Sequence, residues 1–460
     1  MILFFLLYFI MYEIKLPDFS IIPEDRKEYL KKNADELCRK YNLNKYVDED
    51  YYPWEKMKYM EVPSELNNSE ELYFVVRCLR RGTATCVKSS NWEYFTMNIP
   101  PFVQKLLSDL DRKWIGLQSD INNVNKFNLS QTEKDYLSQE WILEEAISSS
   151  QIEWAETTAN VAKEIIIRNR EPQNKHEKMI VNNYQAMMFI SNEMKDAVLS
   201  EQLLLDLQTI LTKDTLDDEW KSWRFRTDQD NIVVMNGATW EVYYKPPKEH
   251  MMKQELKNLI DFANDKDNSY IHPFIKATIL HFWIAYLHPF CDGNGRTARA
   301  IFYWYLNKKW YTDFTYIPIS RVINNSKKQY GQTYIYAEQE EFDLTFFVVY
   351  IAQKTQQAFK EYGEFILTQK KEHSTIQDKV NKIYGKMLND RQLSLICYFL
   401  ENPDKYINNT IYQNQYRVVK NTAKADLLWL KELSLLEVNH NGKYINYYPT
   451  KKLLDLWNMK

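Results

Sequence analysis

The sequence predicts a mainly α-helical protein with one β-hairpin near its centre and a small C-terminal domain. Three observations carry that reading. Apolar residues recur at three- and four-residue steps through most of the chain. Residues 231–247 pair two β-rich runs across Asn236-Gly237, the favoured two-residue hairpin turn. Near Asp390 the character shifts, and residues 386–460 hold eleven Lys/Arg against seven Asp/Glu.

The elements follow in order. Residues 1–130 form an N-terminal region of helices and a few short strands, mixing short apolar runs with Pro and Trp. Its first ten residues, MILFFLLYFI, are too few to span a bilayer, which takes about 20. They lack the basic n-region and small-residue cleavage site of a signal peptide. With a second Met at position 11, they read as dispensable or an over-extended start, and no stable membrane insertion is expected. Residues 131–172 are helical, with Leu137, Trp141, Ile142, Ala146 and Ile152 on one periodicity. Residues 173–375 form the core. It opens with two helices over 176–212, and a polar break at Asp217-Asp218 leads to the hairpin. Pro246-Pro247 ends the hairpin, and a helix runs from Glu249 to Asn264. Pro273 opens a helix apolar nearly all round, hence central. A further helix, TARAIFYWYLNKKW, follows, and helix continues to about Glu372. Residues 386–460 read as helix, short helix, turn, helix and a hairpin around Asn441-Gly442. That order is of winged helix-turn-helix type.

Bulk composition narrows the function. A net charge of −3 excludes a uniformly nucleic-acid-coated surface and leaves room for one basic domain. The five cysteines are scattered and odd in number, with no Cys-x-x-Cys pair. This favours a reducing, cytoplasmic compartment and gives no zinc framework.

One stretch stands apart: His288-Pro289-Phe290-Cys291-Asp292-Gly293-Asn294-Gly295-Arg296. The chain has only nine glycines in 460 residues, and two fall here within three positions. An ordinary Asn-Gly turn explains two residues and leaves the rest to coincidence. An EF-hand register puts Phe290 and Ile301 at calcium-ligating positions, which neither can fill. A P-loop needs a preceding strand and a Lys after its second Gly, and both are missing. An anion site fits better. Gly293 and Gly295 let the backbone approach a ligand at a helix N-terminus, whose free N–H groups and partial positive charge bind anions. Arg296 and Arg299 share one side of the first turn. There they oppose the helix dipole, at up to roughly 1 kcal/mol each when exposed, unless an anion compensates. Asp292 offers a hard carboxylate suited to Mg²⁺, and His288 a near-neutral base.

HPFCDGNGRTAR resembles the core motif of the Fic family, His-x-Phe-x-Asp/Glu-Gly-Asn-Gly-Arg-x-x-Arg, at every defined position. The resemblance implies a Fic-type helical core with a hairpin flap. It implies transfer of AMP from ATP, with Mg²⁺, onto a Ser, Thr or Tyr hydroxyl of a target protein, the chain itself among the candidates. His288 would be the general base and Asp292 would hold Mg²⁺. Asn294 and the amides of Gly293 and Gly295 would cradle the α- and β-phosphates. Arg296 would steady the β-phosphate and Arg299 the γ-phosphate; Phe290 would anchor the loop. SWRFRTDQDNIVV resembles the start of the family's flap, with Trp223 where Gly is common. AISSSQIEWAETT resembles the family's inhibitory helix, Ser/Thr-x-x-x-Glu-Gly/Asn. Ser149 and Glu153 fit it, Glu153 would pair with Arg299, and Trp154 stands at the Gly/Asn position.

Other functions stay open. An enzyme of this fold can transfer another nucleotide or phosphate group, or remove AMP. A transcriptional regulator can keep the site as a nucleotide sensor. YRVVKNTAKADLLWL resembles a recognition helix, with Arg417, Lys420 and Lys424 available to DNA phosphates or a protein partner. Dimers are common in the family, so a homodimer is a further expectation.

Overall fold

The computed structural model describes residues 16–88, 94–122, 131–168, 170–235, 242–266, 270–311, 314, 317–384, 387–416, 418–441 and 444–458. The first helices are α1 (Glu24–Lys32), α2 (Ala34–Tyr41), α3 (Trp54–Met57) and α4 (Ser69–Thr83). They close around Leu30, Leu37, Trp54, Leu72 and Val76. Asn68 opens α4, its side chain accepting from the Glu71 amide at 2.9 Å. An antiparallel pair, β1 (Thr85–Lys88) with β2 (Tyr94–Met97), and α5 (Pro101–Asn122) lead onward. Buried polar contacts tie this unit to the core. Tyr51 and Tyr73 donate to Asp343 and Glu340, and the Arg80 guanidinium lies 3.8 Å from the Tyr51 ring centre.

The core is α6 (Gln131–Ile152), α7 (Ala159–Arg168), α8 (Lys175–Asn192), α9 (Glu201–Thr212), α10 (Glu249–Ala263), α11 (Pro273–Leu287) and α12 (Asn294–Lys308), then α13 (Ile319–Asn324), α14 (Lys327–Gln339) and α15 (Thr345–Tyr384). At its centre is α11, twelve of whose fifteen residues are buried. An all-round apolar helix is stable only inside other helices. Pro273 starts it, and the His272 ring accepts from the Phe274 amide at 3.2 Å. The antiparallel pair β3 (Val234–Met235) and β4 (Val242–Tyr244) forms the base of the central hairpin. Its expected turn, Asn236-Gly237, lies outside the described residues.

The C-terminal unit runs α16 (Asp390–Glu401), α17 (Asn409–Tyr416), α18 (Lys420–Glu432), β5 (Leu436–Asn441), β6 (Tyr444–Pro449) and α19 (Lys451–Asn458). Phe399, Tyr412, Leu427 and Leu430 fill its centre. Buried Asp426 accepts from Asn389, Arg391 and Tyr412 at 2.7–3.0 Å, fixing the start of α16 and α17 to one carboxylate of α18. Two features exceed the sequence expectation. Helix α15 continues past Glu372 to Tyr384, its run of Lys, Gln and Glu containing no proline to stop it. Its Val380 packs into the C-terminal centre. The closing helix, α19, is the other addition. Among the described residues no helix is long and apolar enough to cross a membrane; residues 1–10 lie outside them.

Candidate functional site

The motif joins the two central helices. His288 caps α11 in the left-handed conformation, φ 47°, its amide bonded to Ile284 O at 2.9 Å. Gly293, φ 83°, caps the start of α12. A side chain at Gly293 would meet the Thr212 methyl at 2.9 Å, so backbone conformation and lack of space both call for glycine. Between the two caps, Asn294 staples the loop. Its Oδ1 accepts from the Phe290 amide and its Nδ2 donates to the Phe290 carbonyl, both at 2.9 Å. The Asn294 side chain is thus spent on shaping the loop. Phe290 is fully buried and stacks on Phe225 at 5.4 Å.

The His288 ring places Nδ1 3.3 Å from the Ala285 carbonyl. A carbonyl only accepts, so Nδ1 carries the hydrogen and Nε2 keeps its lone pair. Burial pushes the imidazole pKa below its ordinary value, which keeps the ring neutral.

The arginines are almost fully buried. Arg296 donates to Leu211 O at 2.8 Å and to the Asp292 carboxylate at 3.3 Å. Arg299 donates through Nε to the Ser149 hydroxyl at 2.8 Å, and through Nη2 to Ser149 O and Glu153 Oε1, both at 2.9 Å. One nitrogen of each remains without a hydrogen bond, Nε of Arg296 and Nη1 of Arg299, although both atoms are buried. Buried unpaired guanidinium donors cost free energy and favour an anion beside them.

Glu153 occupies that position. A Cβ on Gly295 would lie 2.1 Å from Glu153 Oε1, so the carboxylate rests directly on the first turn of α12. Burial works against its ionisation, but Arg299 and then Arg296 override burial and hold its pKa below the ordinary carboxylate value. The side chain keeps 34% of its surface exposed. Asp292 sits at the rim, 47% exposed, accepting from the Gly293 amide at 2.6 Å.

At the end of α6 the chain reverses sharply. The Trp154 amide bonds to Gln151 O at 3.2 Å and the Ala155 amide to Ser150 O at 3.0 Å, a Schellman turn. Trp154 takes its left-handed position, φ 67°. The turn expected of Gly or Asn is therefore formed with a strained Trp. Trp223, at the start of the flap, is likewise left-handed, φ 70°.

Three further positions build the site and carried no local signal. Buried Arg226 donates to the carbonyls of His288 at 2.7 Å, Leu287 at 3.1 Å and Pro247 at 2.6 Å. It fixes the end of α11 and the exit of the hairpin together. Gln208 reaches Asp292 O at 3.5 Å and accepts from the Trp223 amide at 3.4 Å. Glu145, two helical turns before Glu153, accepts from Tyr303 at 2.7 Å and from the Ser320 amide and hydroxyl.

Residues 198–306 match the family described as Fic/DOC. The chain carries a Fic domain. Over 75 residues it is 35% identical to "Protein adenylyltransferase fic-1" of Caenorhabditis elegans, a stretch covering 16% of this chain and 15% of that protein. Over 56 residues it is 38% identical to "Protein adenylyltransferase Fic" of Nematostella vectensis, covering 12% and 13%. The chain thus spans about 15% of the length of these curated relatives. Among solved structures, a Fic family protein from Desulfovibrio desulfuricans G20 is 17% identical, with a TM-score of 0.49, over 77% of this chain and 97% of that one.

Proposed function

We propose that the protein is an adenylyltransferase that moves AMP from ATP onto a Ser, Thr or Tyr hydroxyl of a target protein, and that Glu153 holds it in check. The observation that carries this is the Glu153 carboxylate lying in an anion cradle made by α12, Arg296 and Arg299. With Glu153 withdrawn, the unpaired nitrogens of both arginines and the free amides of α12 are left for phosphate oxygens. His288, neutral and with Nε2 free, would take the proton of the target hydroxyl. Arg296 and Arg299 would neutralise charge on the β- and γ-phosphates, which is most of what such a transfer needs. No group of three or more His, Cys, Asp or Glu fit for a metal occurs among the described residues. A nucleotide-borne Mg²⁺ asks less of the protein: one or two carboxylates, with phosphates and waters completing the shell. Half-exposed Asp292 at the rim suits that role. Bound there, the ion would supply charge neutralisation between the phosphates.

The C-terminal unit is proposed to be a winged helix. Exposed Lys420 and Lys424 on α18 would meet DNA phosphates or an acidic protein; Arg417 lies outside the described residues.

The test is label transfer from α-labelled ATP with Mg²⁺. Wild type is expected to label weakly, Glu153→Gly about tenfold or more strongly, the effect of roughly 1.4 kcal/mol, and His288→Ala not at all. No labelling of any variant with ATP, but labelling with another nucleotide, would move the reading to a different group transferred.

A further inference from the structure

We propose that α13 and the first turn of α14 form the latch of the inhibitory helix: Ser320, Asn324 and Lys327 position α6, and through it Glu153, without touching nucleotide. The inference rests on Glu153 being the inhibitory occupant of the cradle. The three residues are spaced four and three apart and face α6. The Ser320 amide donates to Glu145 at 2.9 Å, and its hydroxyl donates to the same carboxylate. Asn324 Nδ2 donates to Gln151 Oε1 at 3.0 Å, and Lys327 Nζ to Gln151 O at 2.6 Å. Gln151 O belongs to the last turn of α6, where it also accepts from the Trp154 amide and where a cation is favoured. Glu145 and Gln151 bracket Ser149, the residue that Arg299 grips, and Gln151 is two residues from Glu153. A helix held on both sides of its reactive face presents Glu153 in one register. Freed of these bonds, the helix keeps Arg299's grip and the contacts of Ala146 and Ser150 with α8, but loses its ties on the α13 side.

The test is a mutational cycle on the full chain, with calorimetric ATP affinity as the readout. Asn324→Ala and Lys327→Gln are each expected to tighten ATP binding about two- to tenfold, the worth of a hydrogen bond. In a Glu153→Gly background neither is expected to change it. Weaker binding of Lys327→Gln in that background would overturn the proposal and make Lys327 a phosphate ligand. Unchanged affinity of both single variants would also overturn it, provided Glu153→Gly alone tightens binding. If Glu153→Gly has no effect, the reading of Glu153 fails, and amide exchange at residues 148–153 decides the latch separately. Faster exchange in both variants supports it, and unchanged exchange overturns it.

A different observation carries a second inference. The tryptophans include two contrasting sets. Trp54, Trp141, Trp283 and Trp304 are 0–7% exposed. Trp154, Trp223 and Trp310 have φ of 67°, 70° and 69° and are 58%, 74% and 71% exposed. A bulky side chain in left-handed backbone is a genuine outlier, and these rings bury little in return. A lysine nitrogen lies 5.1 Å from the Trp154 ring centre and another 5.6 Å from that of Trp310. Trp310 repeats the turn at Trp154, its amide bonded to Asn307 O at 3.0 Å and the next amide to Leu306 O at 2.9 Å. Glycine is the usual occupant there, in a chain with nine glycines in 460 residues. We infer that positions 154, 223 and 310 are glycine in the protein as its own cell makes it. The triplet UGA, a stop in most cells, is read as tryptophan in some and as glycine in others. The gene is expected to carry UGA at these three positions and UGG at 54, 141, 283 and 304. Peptides from the native protein are expected to show glycine masses at all three. UGG codons or tryptophan masses there would overturn it.

Discussion

Gly293 and Gly295 stand two residues apart, and each lacks a side chain for a different reason. At Gly293 the backbone is left-handed and a Cβ would meet the Thr212 methyl at 2.9 Å. Neither constraint can relax cheaply, so Gly293→Ala is expected to cost about 1–3 kcal/mol, measured as a lower urea midpoint. Gly295 is helical, and a Cβ would strike the carboxyl end of Glu153, at 2.1 Å, and crowd Arg299 Nη1 at 3.3 Å. A flexible carboxylate can swing aside, and alanine favours helix by up to about 1 kcal/mol over glycine. Gly295→Ala is therefore expected to keep stability within about 1 kcal/mol of wild type, displace Glu153, and still bind ATP poorly. Its Cβ would stand where a phosphate oxygen must approach. Calorimetry separates this from Glu153→Gly, which empties the same space and is expected to bind ATP more tightly.

The helices α6 and α12 meet in an antiparallel ladder: Glu145 with Tyr303, Ser149 with Arg299, Glu153 against Gly295. Only the α12 side was legible in full, because His288 to Arg299 is one contiguous stretch whose chemistry is local. Ser149 and Glu153 were legible only through the resemblance of AISSSQIEWAETT to the family's inhibitory helix. Glu145 was not, because its partners Tyr303 and Ser320 lie 158 and 175 residues away. Arg226 was missed for the same reason; a cation in a polar segment gives no sign that it will cap a helix 61 residues on. The ladder also has a pH signature. Burial raises the Glu145 pKa to about 7 against the donors around it. A carboxyl whose folded pKa exceeds its unfolded value stabilises the fold below the unfolded value and loses that contribution as pH rises through about 7. Wild type is expected to lose of order 1 kcal/mol per pH unit between roughly pH 5 and 7. Glu145→Gln should flatten that slope. Urea midpoints across the range check it, and an unchanged slope would assign the dependence to another group.

Across the whole molecule, α7 ties the inhibitory helix to the C-terminal unit. Ile167 packs both against Leu143, Ile147 and Ile180 of the core and against the C-terminal centre. Its carbonyl accepts from Asn414 at 3.4 Å, and Arg168 lies 4.8 Å from the Tyr406 ring. A second tie is α15, which delivers Val380 to the same centre. The pair Lys405–Glu164, at 3.4 Å, is about half exposed on both sides, so it contributes roughly 0–1 kcal/mol. The apolar seam at Ile167 should therefore couple the two units, with the ion pair a bystander. Calorimetry of wild type is expected to show the core and C-terminal unit melting in one transition. Ile167→Asp, which puts a carboxylate into that seam at a cost of about 1–3 kcal/mol, is expected to split it, the C-terminal unit melting first. Lys405→Ala is expected to leave the single transition in place. If Ile167→Asp also melts as one unit, α15 and the direct contacts of α6 with α16 and α17 transmit the coupling, and α7 is relieved of that role.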